Sequence, residues 1–174
     1  MQRLALLIDG TNVSKTASRY GMELDYALLL QFVEGGRGRH NGGSHRDIVV
    51  ARVYVGPPAN PTRGRQAFLD YVGSLGYQVC VCREEGCGTL KSAVDYDILH
   101  DILVLTLTGR VDVITLVSGD GGFLNGIRTA QAHGVQVEVL AFADHATERL
   151  KSTARFQDLA DTVVLRANGR EKNG

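Results

Sequence analysis

Hydrophobic residues along the chain form short apolar runs that alternate with segments of helical spacing. The run at residues 4–8 stops at Asp9 and Gly10, which predicts a buried strand that ends in a turn. Runs rich in valine and isoleucine predict further strands at 48–55, 77–82, 111–117 and 135–142. Helical spacing between these runs predicts helices at 24–33, 68–75, 93–108, 123–133 and 146–151.

This alternation predicts an α/β fold with a mostly parallel central sheet, covered by helices on both faces and connected by right-handed crossovers. In such sheets ligands bind outside the carboxyl ends of the strands, so functional residues are expected directly after strands. Val135, Val137 and Val139 alternate with polar residues, which predicts a half-exposed edge strand available for pairing in a homodimer.

The chain has 174 residues, which is the length of one ordinary domain, and we expect a single domain over residues 1–167. The glycine-rich segment 34–46 predicts a flexible loop, and residues 168–174 predict a disordered tail. No apolar run approaches the roughly 18 residues of a membrane span, so we expect a cytoplasmic protein. Cys80, Cys82 and Cys87 are too few for a structural zinc site and are expected to be thiols.

Positive charge is balanced across the chain, since Lys plus Arg and Asp plus Glu both number 19. This balance excludes a protein that holds nucleic acid by bulk positive charge alone. Local groups of arginines are candidates for a rim that contacts phosphates, namely Arg37, Arg39 and Arg46 in the glycine-rich segment and Arg63 and Arg65 after the second strand. A solvated insert is the alternative interpretation of that segment. Aromatic residues make up only 6% of the chain, which excludes extensive base stacking as a source of sequence preference.

Acidic residues follow two of the predicted strands. Asp9 closes the first strand and Asp120 follows the strand that ends at Val117, so both should lie at one edge of the sheet. Asp95 and Asp97 begin the helix that precedes that second strand and offer a third carboxylate. Carboxylates gathered in one crevice stay ionised together only if a cation compensates them. Oxygen ligands suit Mg²⁺ or Mn²⁺, which activate water for attack on a phosphodiester.

Each of these residues also has a simpler interpretation. Any one of the acids could cap a helix or complement a helix dipole. Asn12 could be only an N-cap, and Lys91 could be only a solvated charge. Independent caps have no reason to converge on one edge of the sheet, so the joint pattern favours a site.

Three segments carry recognisable motifs. Residues 6–13 read LLIDGTNV, residues 91–101 read KSAVDYDILHD, and residues 116–123 read LVSGDGGF. They resemble, in order and spacing, the hhhIDGxN, K-G-V-D-x5-D and L-V-S-G-D-x-D-F motifs of the NYN-domain family, the PIN-like group that includes the LabA-type proteins. The resemblance covers roughly residues 3–165, including a G-x-x-V-x-V-x-x-F continuation at 134–142.

The resemblance implies a PIN-like three-layer α/β/α fold and metal-dependent cleavage of RNA, which we expect to be single-stranded. It implies that Asp9, Asp95 and Asp120 bind Mg²⁺ or Mn²⁺ and that Asn12 supports the site. Asp97 is a further candidate ligand, although it lies about 200° round the helix from Asp95. The candidates for substrate binding are Ser118, Lys91, Arg37 and Arg39.

The chain departs from the family pattern at two positions. Gly122 stands where the family has a second aspartate, and Lys91 lies one residue further from Asp95 than the family lysine. Loss of a carboxylate weakens metal binding or the activation of water, so a domain that binds RNA or a protein without cleavage is the alternative function.

A haloacid-dehalogenase-like phosphatase is a lesser alternative. Residues 9–13 partly fit D-x-D-x-[TV], and residues 119–121 open like the G-D-G-x-N-D motif of that group. Thr11 replaces the second aspartate of the first motif, however, which leaves no general acid.

Overall fold

The structure is a computed structural model that describes residues 1–35, 45–57, 62–82 and 90–167, without the side chains of residues 90–92. Most of the predicted glycine-rich loop, with Arg37 and Arg39, lies outside the described residues, as do Cys87 and the predicted tail.

Strands and helices alternate along the described chain as the hydrophobic pattern predicts. The strands are β1 (Gln2–Asp9), β2 (Met22–Leu24), β3 (Arg46–Val55), β4 (Gln78–Val81), β5 (Val113–Val117), β6 (Gln136–Ala141), β7 (Arg155–Asp158) and β8 (Leu165–Ala167). The helices are α1 (Gly10–Arg19), α2 (Tyr26–Glu34), α3 (Arg63–Ser74), α4 (Leu90–Leu107), α5 (Leu124–Ala132) and α6 (Glu148–Thr153). Short 3₁₀ turns lie at Gly121–Phe123, Ala143–His145 and Leu159–Asp161.

The central sheet has six parallel strands in the order β4-β3-β1-β5-β6-β7, and β2 and β8 form a small antiparallel pair. Side chains of β1 alternate between two cores. Leu4, Leu6 and Ile8 pack with α1, α2 and α3 on one face. Ala5 and Leu7 pack with α4, α5 and α6 on the other. The predicted three-layer α/β/α fold with a parallel sheet is therefore confirmed.

The helix predicted at 24–33 begins later, at Tyr26. Asp25 caps it, since its carboxylate accepts a hydrogen bond from the backbone N–H of Leu28 at 3.0 Å. The preceding residues form β2 because β8 pairs with them. Neither β8 nor β7 follows from the sequence pattern.

The edge strand predicted at residues 135–142 is wrong. This segment is β6, which lies inside the sheet because β7 pairs with its outer side. Glu138 in the alternating pattern is 9% exposed, so its position reflects a buried polar contact and not solvent. The sequence argument for a homodimer formed by strand pairing is thereby lost.

Arg46 was predicted to belong to a phosphate-binding rim, and this is also wrong. Arg46 is only 2% exposed. Its Nη1 and Nη2 atoms donate hydrogen bonds to the two carboxylate oxygens of Glu138, at 2.7 and 2.8 Å. Desolvation alone would raise the pKa of Glu138, but the hydrogen bonds and charge of Arg46 bring it below its ordinary value. The pair connects β3 and β6, which β1 and β5 separate in the sheet.

No helix in the described ranges is long and apolar enough to cross a membrane. Cys80 and Cys82 are free thiols, as predicted for them.

The Arg46–Glu138 pair generates a stability prediction. Glu138→Gln removes the carboxylate that compensates a buried guanidinium, so the free energy of unfolding should fall by about 3–5 kcal/mol. Replacing both residues, in Arg46→Met/Glu138→Leu, should recover most of this loss. Urea unfolding at pH 7 measures both, and a Glu138→Gln variant as stable as wild type would contradict the prediction.

The same pair should also make stability depend on acid pH. The pKa of Glu138 is lower in the folded than in the unfolded chain, so its contribution is complete above the unfolded pKa and is lost as pH falls through the folded pKa. Urea unfolding between pH 7 and 3 should therefore show a smaller acid loss in Glu138→Gln than in wild type.

Candidate active site

The carboxyl ends of the two central strands meet where Ile8 of β1 pairs with Val117 of β5. The next residues along each strand, Asp9 and Ser118, are therefore neighbours. Asp9 ends β1 and caps α1, because its Oδ1 accepts a hydrogen bond from the backbone N–H of Asn12 at 2.9 Å. Asp9 is only 3% exposed, so its carboxylate lies inside the edge of the sheet.

Ser118 connects the two acidic residues that follow β1 and β5. Its hydroxyl donates to Oδ2 of Asp9 at 3.2 Å and accepts from the backbone N–H of Asp120 at 3.2 Å. Ser118 is 0% exposed. This burial contradicts the predicted contact of Ser118 with substrate, and the residue instead holds Asp9 and Asp120 in a fixed relation.

Asn12 and Asp120 complete this connection. Oδ1 of Asn12 accepts a hydrogen bond from the backbone N–H of Gly119 at 3.3 Å, which fastens the turn after β5 to α1. Oδ1 of Asp120 accepts from the backbone N–H of Gly122 at 2.9 Å and caps the 3₁₀ turn. Asp9 and Asp120 are thus helix caps that also lie at the same edge of the sheet.

The start of α1 leaves little room for a side chain at Gly10. A Cβ on Gly10 would lie 3.0 Å from Cγ1 of Val55 and 3.1 Å from the carbonyl oxygen of Tyr54. These contacts arise because the end of β3 approaches the first turn of α1. The glycine after Asp9 therefore allows β3 to pair along the full length of β1, as far as Asp9.

Gly122 has different surroundings. It is exposed, and a Cβ there would meet only the carboxylate of Asp120, whose Oδ1 would be 3.3 Å away. A side chain at this position would therefore extend beside Asp120 after a shift of a few tenths of an ångström.

A polar contact fixes α4 against the sheet. Asp101 accepts hydrogen bonds from Nη1 of Arg52 at 2.6 Å and from the hydroxyl of Tyr54. Burial, and then the hydrogen bond to Asp101, raise the pKa of Tyr54 well above its ordinary value, so Tyr54 remains a neutral donor. The helix that carries Asp95 is in this way attached to β3.

The two acids at the start of α4 face different ways. Asp97 interacts with Cys82, whose pKa is raised by burial and by its hydrogen bond with Asp97. Asp95 is half-buried and lies one turn before Leu99, whose Cδ2 is 2.8 Å from the Cβ position of Gly126 on α5. Asp95 therefore lies on the side of α4 that faces α5 and the turn preceding it. Asp97 lies on another side of α4, so it is not among the proposed metal ligands.

The donor atoms fit a hard divalent cation. Asp9 and Asp120 supply carboxylate oxygens, and the atoms around them are hydroxyl and amide oxygens, which suit Mg²⁺ or Mn²⁺ better than zinc. Within the described ranges, no group of three or more His, Cys, Asp or Glu side chains is arranged to hold a metal. Two carboxylates suffice for Mg²⁺, which usually keeps several of its waters.

The other predicted substrate contacts are Lys91, Arg37 and Arg39. Lys91 lies in α4, but its side chain is not described, and Arg37 and Arg39 lie outside the described residues. The sequence analysis missed two contacts of this region: the bridge made by Ser118 and the attachment of α4 through Asp101. Asp101 occupies the last acidic position of the α4 motif, and this match is the feature of the sequence that could have indicated its contact.

Comparison with known proteins identifies a family and a similar fold. A family model described as the NYN domain matches residues 3–163. A crystal structure of a protein of unknown function from Vibrio parahaemolyticus is similar, with a TM-score of 0.74, 23% identity, and coverage of 92% of this chain and 94% of that chain. This likeness concerns the fold. No curated protein matches the chain. With the family model covering nearly the whole sequence, the chain belongs to the NYN domain family.

Proposed function

We propose that this protein is a metal-dependent ribonuclease that hydrolyses phosphodiester bonds of single-stranded RNA. Membership of the NYN family supports a nuclease-like or RNA-related function. The observation that carries the finer proposal is the buried hydroxyl of Ser118, which bridges Asp9 and Asp120 at the carboxyl edge of the sheet. The hydroxyl accepts from the backbone N–H of Asp120, so the residue that bears the second carboxylate follows the strand that pairs directly with the strand of Asp9.

Asp9 and Asp120 are the proposed direct ligands of Mg²⁺ or Mn²⁺, and Asp95 is proposed to interact with the waters that such an ion keeps, because the described residues do not group three carboxylates together. When bound, such an ion would lower the pKa of a water and stabilise the leaving oxygen of a phosphodiester. The metal identity is left open between the two because both prefer oxygen ligands.

Other properties of the chain position the metal ligands and give the substrate access to them. Asp9 is buried and is held by Asn12 and Ser118, so its carboxylate has a fixed orientation before substrate arrives. Asp120 is half-exposed and faces the approach from solvent. Lys91, Arg37 and Arg39 are proposed to contact the phosphates of the RNA.

Gly122 favours a second candidate function. This position lies beside Asp120 and has no side chain, so the edge has one carboxylate fewer than the family motif provides. A domain with a weakened metal site would bind RNA or a protein partner without cleaving it.

The primary prediction concerns cleavage of labelled single-stranded RNA in Mn²⁺, Mg²⁺ or chelator. Wild type should form product only with metal. Asp9→Asn and Asp120→Asn should each lower the rate by about 100-fold or more, because even residues that only orient metal ligands contribute 10- to 100-fold. The matched control is Asp47→Asn, since Asp47 is exposed near the amino end of β3, at the opposite edge of the sheet.

Cleavage that persists in both site variants would exclude this site as the origin of activity. Absence of product from folded wild type, across several RNAs, would favour the binding domain.

A second prediction tests the effect of Gly122. Gly122→Asp should strengthen metal binding and raise the metal-dependent rate, because the new carboxylate would extend beside Asp120 in accessible space. Gly122→Ala is the control for the added Cβ and should leave the rate near that of wild type. Equal rates in the aspartate and alanine variants would mean that Gly122 does not limit activity.

A further inference from the structure

A pocket of about 250 Å³ lies between α1 and α3. Ser14 and Ser18 line it from α1, and Arg65, Phe68 and Tyr71 line it from α3. These spacings of three and four residues place each group on one face of its helix. The pocket therefore has a hydroxyl wall opposite a wall of one arginine and two aromatic rings.

Arg65 has unused hydrogen-bonding capacity. Its Nη2 donates to the carbonyl oxygen of Gly56 at 3.2 Å, and its guanidinium lies 5.8 Å from the centre of the Phe68 ring. Its Nε is buried and has no hydrogen-bond partner among the described residues, and no described carboxylate forms an ion pair with it. A buried donor of this kind at a pocket wall is available to an acceptor that a ligand supplies.

The charge of the pocket favours an anion. Arg166 also lines it, but its Nε is bound to the carboxylate of Glu23 at 2.7 Å. Burial raises the pKa of Tyr26 to about 12, so this phenol in the wall is neutral. The positive charge of Arg65 is therefore the one that the lining residues leave uncompensated.

The aromatic side chains favour a nucleobase next to that anion. Tyr71 is 41% exposed and presents its ring at the pocket wall. Single-stranded RNA is commonly bound by an aromatic ring under a base and a cation at the backbone. Ser18 supplies a hydroxyl group that can exchange hydrogen bonds with a ribose, whereas the hydroxyl of Ser14 already bonds with Tyr26.

One end of the pocket lies near the carboxyl edge of the sheet. Arg65 is bonded to Gly56, which directly follows β3, and Asp9 pairs with Tyr54 near the end of that strand. The opposite wall is α1, which begins at Gly10, immediately after Asp9. One end of the pocket therefore lies on the same edge of the sheet as Asp9.

We propose that this pocket binds one nucleotide of single-stranded RNA beside the cleaved bond, with its phosphate on Arg65 and its base against Tyr71. The proposal rests on the ribonuclease function, and it identifies a contact that is separate from the metal ligands.

The test measures binding of a labelled RNA of about ten nucleotides by fluorescence anisotropy, in chelator, so that cleavage is suppressed. Arg65→Gln and Tyr71→Ala should each raise Kd about tenfold. Arg65→Gln should also reduce the slope of log Kd against log salt by about 0.7, as expected for one lost phosphate contact on a single strand. The control is Arg110→Gln, an exposed arginine between α4 and β5, at the amino edge of the sheet. Circular dichroism and Tm establish that every variant is folded.

Cleavage with Mn²⁺, measured in parallel, separates the two proposals. If wild type cleaves RNA but both pocket variants bind it as tightly as wild type, the pocket proposal is overturned and the nuclease stands. If the variants lose affinity and wild type makes no product, the pocket stands and the nuclease fails. Wild type that neither binds nor cleaves RNA overturns both.

Discussion

The hydroxyl of Ser118 holds together the two acidic residues on which the candidate site depends. It donates to Asp9 and accepts from the backbone of Asp120, at the end of two strands that are buried on both faces. Because β1 and β5 pair directly, the positions of these residues are set by the register of the central sheet. The surrounding helices determine what can approach that edge.

Polar contacts position the strands and helix α4 around the candidate site, within a largely apolar interior. Asp101 attaches α4 to β3 through Arg52 and Tyr54, and Arg46 binds Glu138 across the width of two strands. Buried pairs of this kind add little net stability over apolar packing, but they are costly to break. Their effect here is to fix the face of α4 that packs on β3 and to connect β3 with β6.

Much of the fold follows from the sequence because apolar runs and helical spacing are strong local signals. The rule that sites follow parallel strands selects Asp9 and Asp120, and the structure brings both to one edge. The short strands β7 and β8 are missed because three or four residues carry no usable periodicity. Because β7 does not follow from the sequence pattern, the internal strand β6 is wrongly predicted to be an edge strand.

Contacts between segments that are distant along the chain could not be predicted from the sequence. Glu138 looked solvent-facing because alternation of apolar and acidic residues is the same whether the acid faces water or a buried arginine. Ser118 looked like a substrate contact because its burial depends on strands more than a hundred residues apart in the chain. The sequence makes Asp97 a candidate ligand, but its interaction with Cys82 places it on the other side of α4.

The proposed function requires that the edge formed by Asp9, Ser118 and Asp120 binds a divalent cation. Thermal unfolding with and without Mn²⁺ tests it most directly, because a ligand that binds only the folded chain raises Tm. At a concentration about 100 times Kd, the account predicts that Tm of wild type rises by about 5–10 °C, and that Asp9→Asn/Asp120→Asn shows no rise. An unchanged Tm in folded wild type, or an equal rise in the double variant, would contradict it.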